Sequence, residues 1–494
     1  MDVSQDVDEP GRLFKDVAAS LYGNLSTNFY SNADTEISPI SRLPTELLVT
    51  IFFTLMERHF PSAIESSDQE PLINLEEATP HSVRHILGLV CKEWRITVIS
   101  IPLLWSLLSL RGERLPDYSL VEGWILRSKA TTLQVYFHPS SSPSWSPQDV
   151  SRFRSLLKKN MHRIGLLLMP GSYSTNSFYF EELFFDDKHD SLSAPRLHTL
   201  CLSSRRWSGD LFRNSFTPVE FPELQRIFNK GPYSFLHNLN PAILSSLTTL
   251  RIVLTQLRVL RNILDLMNFC VGLKHLTLIA GRLSAPGSSS IIDDELSFPN
   301  NITLPRLQFI GIPYMCLKWL PNFLPHIRAP TLKTLSFDLS GTFPPQGWEL
   351  ELGLIPFLQQ SMPFLDTLVV ERIFDKRWDM DSIFSALPSL GILHIRSSHV
   401  SPFLFRSLID PQGKRSLMVC PNLIKVMLHD CTFESHTIAD LLRARRRVSD
   451  GQIRHLRPLE LLGVTNSRVF DGNDNLIALA EGSEGVLVLN EGSL

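Results

Sequence analysis

No stretch of the 494-residue chain runs for about 18 consecutive apolar residues, so no membrane span is expected. The start, Met1-Asp2-Val3-Ser4-Gln5-Asp6, is acidic and lacks the basic region and apolar core of a secretory signal. Cysteine is sparse: Cys91, Cys201, Cys270, Cys316, Cys420 and Cys431 lie far apart and form no Cys-x-x-Cys pair. That spacing argues against a disulfide framework and against a structural zinc site. The glycosylation triplets at Asn24 and Asn301 carry little weight without a secretion signal. These absences point to a reducing, intracellular compartment, cytoplasmic or nuclear. An excess of positive charge is lacking too, with 47 Lys and Arg against 50 Asp and Glu. Such a balance does not neutralise phosphates, so neither nucleic acid nor membrane is expected as a partner. Gly-rich phosphate loops, His-Glu-x-x-His, Gly-x-Ser-x-Gly and the kinase motifs are all missing. The expectation is a protein that is not an enzyme, with no cofactor and no metal.

Glycine is outnumbered by proline, 24 to 33, and the prolines fall in register. A unit of the form Pro-x-Leu-x-x-Leu-x-Leu, with conservative replacements, occurs ten times, its first leucine at 197, 224, 247, 273, 307, 332, 365, 390, 423 and 459. In seven units a proline stands two residues earlier. The spacings run from 23 to 36 residues, so about half fit a compact leucine-rich period and the rest need longer connections. Leu133 to Phe137 and Ile164 to Leu168 read as degenerate earlier units. The Leu-x-Leu dyad alternates as a strand does. Helical segments such as Leu257 to Phe269 and Ile438 to Arg446 lie between the strands. Strand and helix in alternation predict an α/β chain with a curved parallel sheet, an irregular repeat solenoid over residues 111–470. The proline is read as pinning an extended approach to each strand. Residues 471–494 are assigned as an irregular C-terminal tail, although Val486 to Leu489 also fits a final unit.

Ahead of the repeats the period is helical. Residues 1–36 are polar and read as a mobile leader. Leu47, Leu48, Ile51 and Phe52 follow i, i+3, i+4 spacing, with Pro44 and Glu46 suited to a first turn. A loop is expected over about 57–80. Helical spacing resumes from His81 to Ile99, with Leu87, Val90, Cys91 and Trp94 on one stripe, and Pro102 stops it. Cys91 is read as a buried small hydrophobe on that stripe.

Three blocks of this region carry a resemblance: Leu43-Pro44-x-Glu46-Leu47-Leu48-x-x-Ile51-Phe52, Val90-Cys91-Lys92-x-Trp94-Arg95, and Ile101-Pro102-x-Leu104-Trp105-x-x-Leu108. In that order they resemble an F-box, a three-helix module, over residues 37–110. The loop between the first two blocks is about 20–25 residues longer than a compact F-box needs, an insertion that costs little. The downstream units resemble those of the F-box/leucine-rich-repeat class, and Cys431, three residues past Leu428, matches the Asn/Cys position of that repeat. The resemblance implies a substrate receptor of a Skp–cullin–F-box ubiquitin ligase. The F-box would bind the Skp adaptor, and through it the cullin scaffold, while the repeats hold a protein substrate. The residues implied for the adaptor are Leu43, Pro44, Leu47, Leu48, Ile51, Val90, Trp94, Pro102 and Trp105. So small a module cannot bury all of them, and an exposed apolar patch marks a partner site. The alternative is a repeat scaffold whose helices cap the solenoid and which joins no ligase.

On the repeat strands, the residues between core positions should share the concave face. That set is Arg251, His275, Asp338, Glu371, His394, Arg396, Lys425 and His429, whose mixed signs suit a protein or peptide. The run Arg443-Ala444-Arg445-Arg446-Arg447 reads as the solvated end of a helix, ahead of a nuclear-import or phosphate-binding patch. His429, Cys431 and Cys420 make an incomplete metal set.

Overall fold

The computed structural model describes residues 43–59, 80–112, 117–139, 146–169, 193–202, 220–229, 236, 239–254, 257–280, 301–313, 323–338, 348–361, 364–373, 380–400, 402–405, 408, 419–449, 457–470 and 486–489. The leader 1–36 and most of the inserted loop lie outside the described residues. No described helix is long and apolar enough to cross a membrane. The fold is mixed α/β, built on an open sheet of 14 strands. The contacts divide the chain into two compact units, Met1–Tyr136 and Phe137–Leu494.

In the first unit, α1 (Thr45–His59), α2 (Pro80–Val90) and α3 (Lys92–Ser100) precede a 3-10 turn over Pro102–Trp105, then β1 (Leu107–Gly112) and α4 (Tyr118–Arg127). Helical spacing from 81 to 99 predicts one helix, but two form. Cys91 is extended (φ −159°, ψ 175°) and its thiol accepts from the Trp94 N–H at 3.4 Å, capping α3. A residue that caps a helix sits outside helical backbone space, so the stripe breaks there. Cys91 is half-buried, a cap and not a core residue. The unit's core takes Leu48, Phe52 and Met56 from α1, Val83 and Leu87 from α2, Val98 from α3, and Leu104 and Trp105 from the turn.

The sheet's remaining strands are β2 (Leu133–Pro139), β3 (Ile164–Met169), β4 (Thr199–Leu202), β5 (Arg226–Asn229), β6 (Thr249–Leu254), β7 (His275–Ala280), β9 (Phe309–Ile312), β11 (Thr334–Asp338), β12 (Thr367–Glu371), β13 (Ile392–Arg396), β15 (Lys425–His429), β17 (Leu461–Thr465) and β19 (Leu487–Leu489). They follow chain order across the sheet. Two-residue strands pair outside it: β8 (Ile302–Thr303) with β10 (Ile327–Arg328), and β16 (Thr432–Phe433) with β14 (His399–Val400) on one side and β18 (Arg468–Val469) on the other.

Each of the ten leucine-rich units contributes one strand, and the two degenerate units contribute β2 and β3. The tail assigned to 471–494 is irregular only in part, because Leu487–Leu489 pairs in parallel with β17 as the last strand. From Leu167 to Leu487 the middle apolar residues lie in one ladder, through Leu200, Ile227, Leu250, Leu276 and onward, every rung buried. At about 25 cal/mol per Å² each rung contributes roughly 1.5–3 kcal/mol of apolar burial, available only because its neighbours cover it. A second ladder lies two residues on, and there Asn229 stands fully buried between Leu202 and Ile252. Among the described helices of this unit, α5 (Pro147–Asn160) and α6 (Pro241–Ser246) each start on a side-chain cap with proline in the first turn.

The prolines do not extend the approach; they turn it. Leu197 N–H donates to Ala194 O at 3.1 Å, and the same bond recurs from Leu224 to Phe221, Leu307 to Leu304, Leu332 to Ala329, Leu390 to Leu387 and Leu423 to Cys420. Proline is the second residue of each of these β-turns, where its fixed φ is pre-set. The first residue of the turn and the leucine that closes it are both buried. After the strands, Arg372, Ser397, Asp430 and Asn466 hold φ of 58°, 48°, 53° and 49°, so one left-handed residue reverses the chain at each of four successive units.

Candidate functional site

Two surfaces hold the residues singled out from the sequence. The first is on the helical module. Leu47 and Ile51, one turn apart on α1, are exposed, whereas Leu48 and Phe52 beside them are buried. Helix α2 repeats the pattern: Val83 and Leu87 face inward, while Ile86, Leu89 and Val90 are about half exposed. On α3, Val98 is buried and Ile96 and Ile99 are exposed; on the turn, Leu104 is buried and Leu103 exposed. Pro44 is exposed, and Leu43 and Pro102 are half-buried.

Two residues expected at this surface, Leu48 and Trp105, serve the interior instead, and Trp94 is shared between surface and core. Leu48 is 4% exposed and Trp105 is 6% exposed, so neither reaches a partner. Trp105 donates its indole N–H to Val98 O at 2.8 Å, with Arg84 and Arg127 guanidinium carbons 5.0 and 4.7 Å from its ring centroid. Trp94 is half-buried, edge-on to Phe52 with centroids 5.0 Å apart. Reading each helix as having one apolar face hid Ile86, Leu89, Ile96, Ile99 and Leu103. The signal was present, because Ile86, Leu89 and Val90 are themselves at i, i+3, i+4.

The second surface is the sheet face opposite the leucine ladder. The eight residues expected there fall on three rows. His275 and Lys425 take the first strand position, in line with Phe309 and with Ile392 and Leu461. Arg251 and His394 take the third, beside Phe228 and Thr277 and beside Val369 and Met427. The fifth position brings Asp338, Glu371, Arg396 and His429 side by side in register.

That row is largely self-neutralised. Glu371 pairs with Arg396 at 3.3 Å across neighbouring strands. Asp338 pairs with Arg372 at 3.3 Å and is 3% exposed, so it is not part of an open face. His429 bonds Thr465 Oγ1 through Nδ1 at 2.7 Å and meets Asp430 Oδ2 through Nε2 at 3.1 Å. Burial, with Arg396 beside it, holds the His394 imidazole below its ordinary range. Beside this row Gly463 leaves space that Met427 fills: an added Cβ would meet the Met427 methyl at 2.5 Å.

The thiols do not converge. Cys420 donates to Phe384 O at 3.4 Å, and Cys431 to Ile395 O and His429 O at 3.3 Å each. Among the described residues no group of three or more His, Cys, Asp or Glu could hold a metal ion. The basic run also differs from expectation: Arg443 is exposed, but Arg445 is buried, with both Nη atoms 3.5 Å from Cys420 O. Sequence could not separate the two, because on α7 (Ser435–Ser449) residues two apart face different sides. A scan against models of known protein families and a search of curated proteins both find no match.

Proposed function

We propose that this chain is the non-catalytic substrate-recognition subunit of a Skp–cullin–F-box ubiquitin ligase. The helical module is an F-box that docks on the Skp adaptor and, through it, the cullin scaffold. The parallel repeats form a leucine-rich-repeat solenoid whose open face holds a protein substrate, in the cytoplasm or the nucleus. The observation that carries this reading is the second apolar face of α1, α2 and α3. Large aliphatic side chains at helical spacing stand in water there while their neighbours fill the core. Leaving that much aliphatic surface wet is costly unless a partner covers it.

The contact set that follows is Leu47, Ile51 and Val90, joined by Ile86, Leu89, Ile96, Ile99 and Leu103. Pro44, exposed at the start of α1, adds to it, and Leu43, Trp94 and Pro102 border it. Central aliphatic anchors of an interface cost about 2 kcal/mol or more each when removed. Replacing Leu47 and Ile51 together by Asp therefore weakens adaptor binding by at least about a hundredfold. Both residues are exposed, so the fold survives, and far-UV circular dichroism is unchanged. Normal co-purification of the double variant with the Skp adaptor would overturn the assignment.

A further inference from the structure

Arg84 is on the inner side of α2 and only 2% exposed, a position where an aliphatic residue would be buried at less cost. It donates Nη1–H to Leu104 O at 3.0 Å and Nη2–H to Leu107 O at 3.2 Å. The first of those carbonyls follows directly on the exposed turn residue, Leu103, and the second opens β1. The Arg84 guanidinium carbon lies 5.0 Å from the Trp105 ring centroid and 5.4 Å from that of Trp124. Arg127, on the last turn of α4, lies 4.7 Å from the same Trp105 ring. The Trp105 indole N–H in turn holds Val98 O of α3. One indole thus joins α2, α3, α4 and the turn. Burial, with the Arg127 charge beside it, lowers the Arg84 pKa to about 9. The charge is retained against that cost by two carbonyls and two ring faces.

Trp124 and Arg127 lie beyond Leu108, where the last of the three F-box-like blocks ends, and beyond residue 110, the bound expected for that module. We infer that Arg84, Trp124 and Arg127 are positioning residues for the adaptor contact, and that the docking module extends through α4. The cluster fixes the rotation of the Pro102–Trp105 turn, and with it the outward side of Leu103 relative to the outer faces of α2 and α3. This inference rests on the adaptor reading.

The test uses the full chain and purified Skp adaptor, titrated by calorimetry well below the melting temperature. Arg127 is exposed, so its variants retain the fold. Arg127→Gln weakens binding about three- to fivefold, the size of one cation–π contact, and Arg127→Lys stays within about twofold of the parent. Arg84→Met weakens binding about tenfold and lowers the melting temperature, because the Leu104 and Leu107 carbonyls lose their guanidinium donor. If Gln and Lys at 127 behave alike, or if Arg127→Gln binds as the parent does, the inference is overturned. A parent chain that does not bind the adaptor overturns the adaptor reading and this inference with it. A binding parent with indifferent variants overturns the inference alone.

Discussion

At the residue scale, burial sorts the ionisable side chains into two pH windows. The thiols of Cys201, Cys270 and Cys420 are pushed up to about 12, and that of Cys431 to about 11, all chiefly by burial. For an acid whose folded pKa is raised, the folded state prefers the neutral form. The stability it contributes is complete below the ordinary thiol value, about 8.5, and is lost as pH climbs towards 11 or 12. His198 and His394 work in the other direction. Burial, and then a neighbouring arginine, lowers both imidazoles. Their contribution is present above about 6.5 and is lost as pH falls through their folded values. The urea midpoint should therefore be highest between about pH 7 and 8.5 and fall on both sides. Iodoacetamide at pH 8 should leave the four buried thiols unmodified in the native chain, read by peptide mass spectrometry. Rapid native labelling of Cys431 would contradict its burial. Cys431 was legible in the sequence, because cysteine three residues past a repeat leucine stands out. Ser398 and Ser467 hold the equivalent place, three residues past Ile395 and Val464, and were missed. Their hydroxyls accept from Ile373 N–H and Cys431 N–H, at 3.0 and 3.1 Å, and tie each turn to the next. Serine is common on surfaces, so only its partners distinguish it here.

At the element scale, the break at Cys91 decides which way α2 and α3 face. Were the helix continuous, Val90 and Trp94 would share one stripe; as built, Val90 is exposed and Trp94 packs on Phe52. The Cys91 thiol is a weak acceptor for the Trp94 N–H, and the Glu93 carboxyl is held below its ordinary range by its own N–H and then by Cys91. Serine makes the same cap with a better acceptor and little change in size. Cys91→Ser is expected to stabilise the chain by about 0.5 kcal/mol, and Cys91→Ala to cost about 0.5–1 kcal/mol. Chemical denaturation followed at the α-helical signal measures both, and a reversed order would show that the thiol does not cap. Helical character was legible here because aliphatic residues recur at helical spacing on both faces. The break was not, because cysteine has no strong cap preference and its backbone angle is set by the packing of α3.

At the scale of the whole molecule, the ten strands were legible because one repeated pattern controls twelve consecutive rungs. The same pattern said little about the open face, where cross-strand neighbours decide which charges remain available. Glu371 meets Arg396 and Asp338 meets Arg372 only because strands 25–34 residues apart in sequence lie in register. That architecture also limits how far damage spreads, since each unit touches mainly its neighbours. Leu428 is fully buried, with Ile395 and Val464 beside it in register. Leu428→Ala removes a rung and leaves a cavity, at a cost of about 2–5 kcal/mol. In a stack with nearest-neighbour coupling, that loss falls on β13, β15 and β17. Amide hydrogen exchange should accelerate over 392–396, 425–429 and 461–465 while 45–59 and 80–100 keep their protection. The adaptor binding proposed above, assigned to the other compact unit, should be unchanged. If exchange instead accelerates everywhere together and adaptor binding is lost, the chain unfolds as a single cooperative body, and the repeat description of its energetics fails.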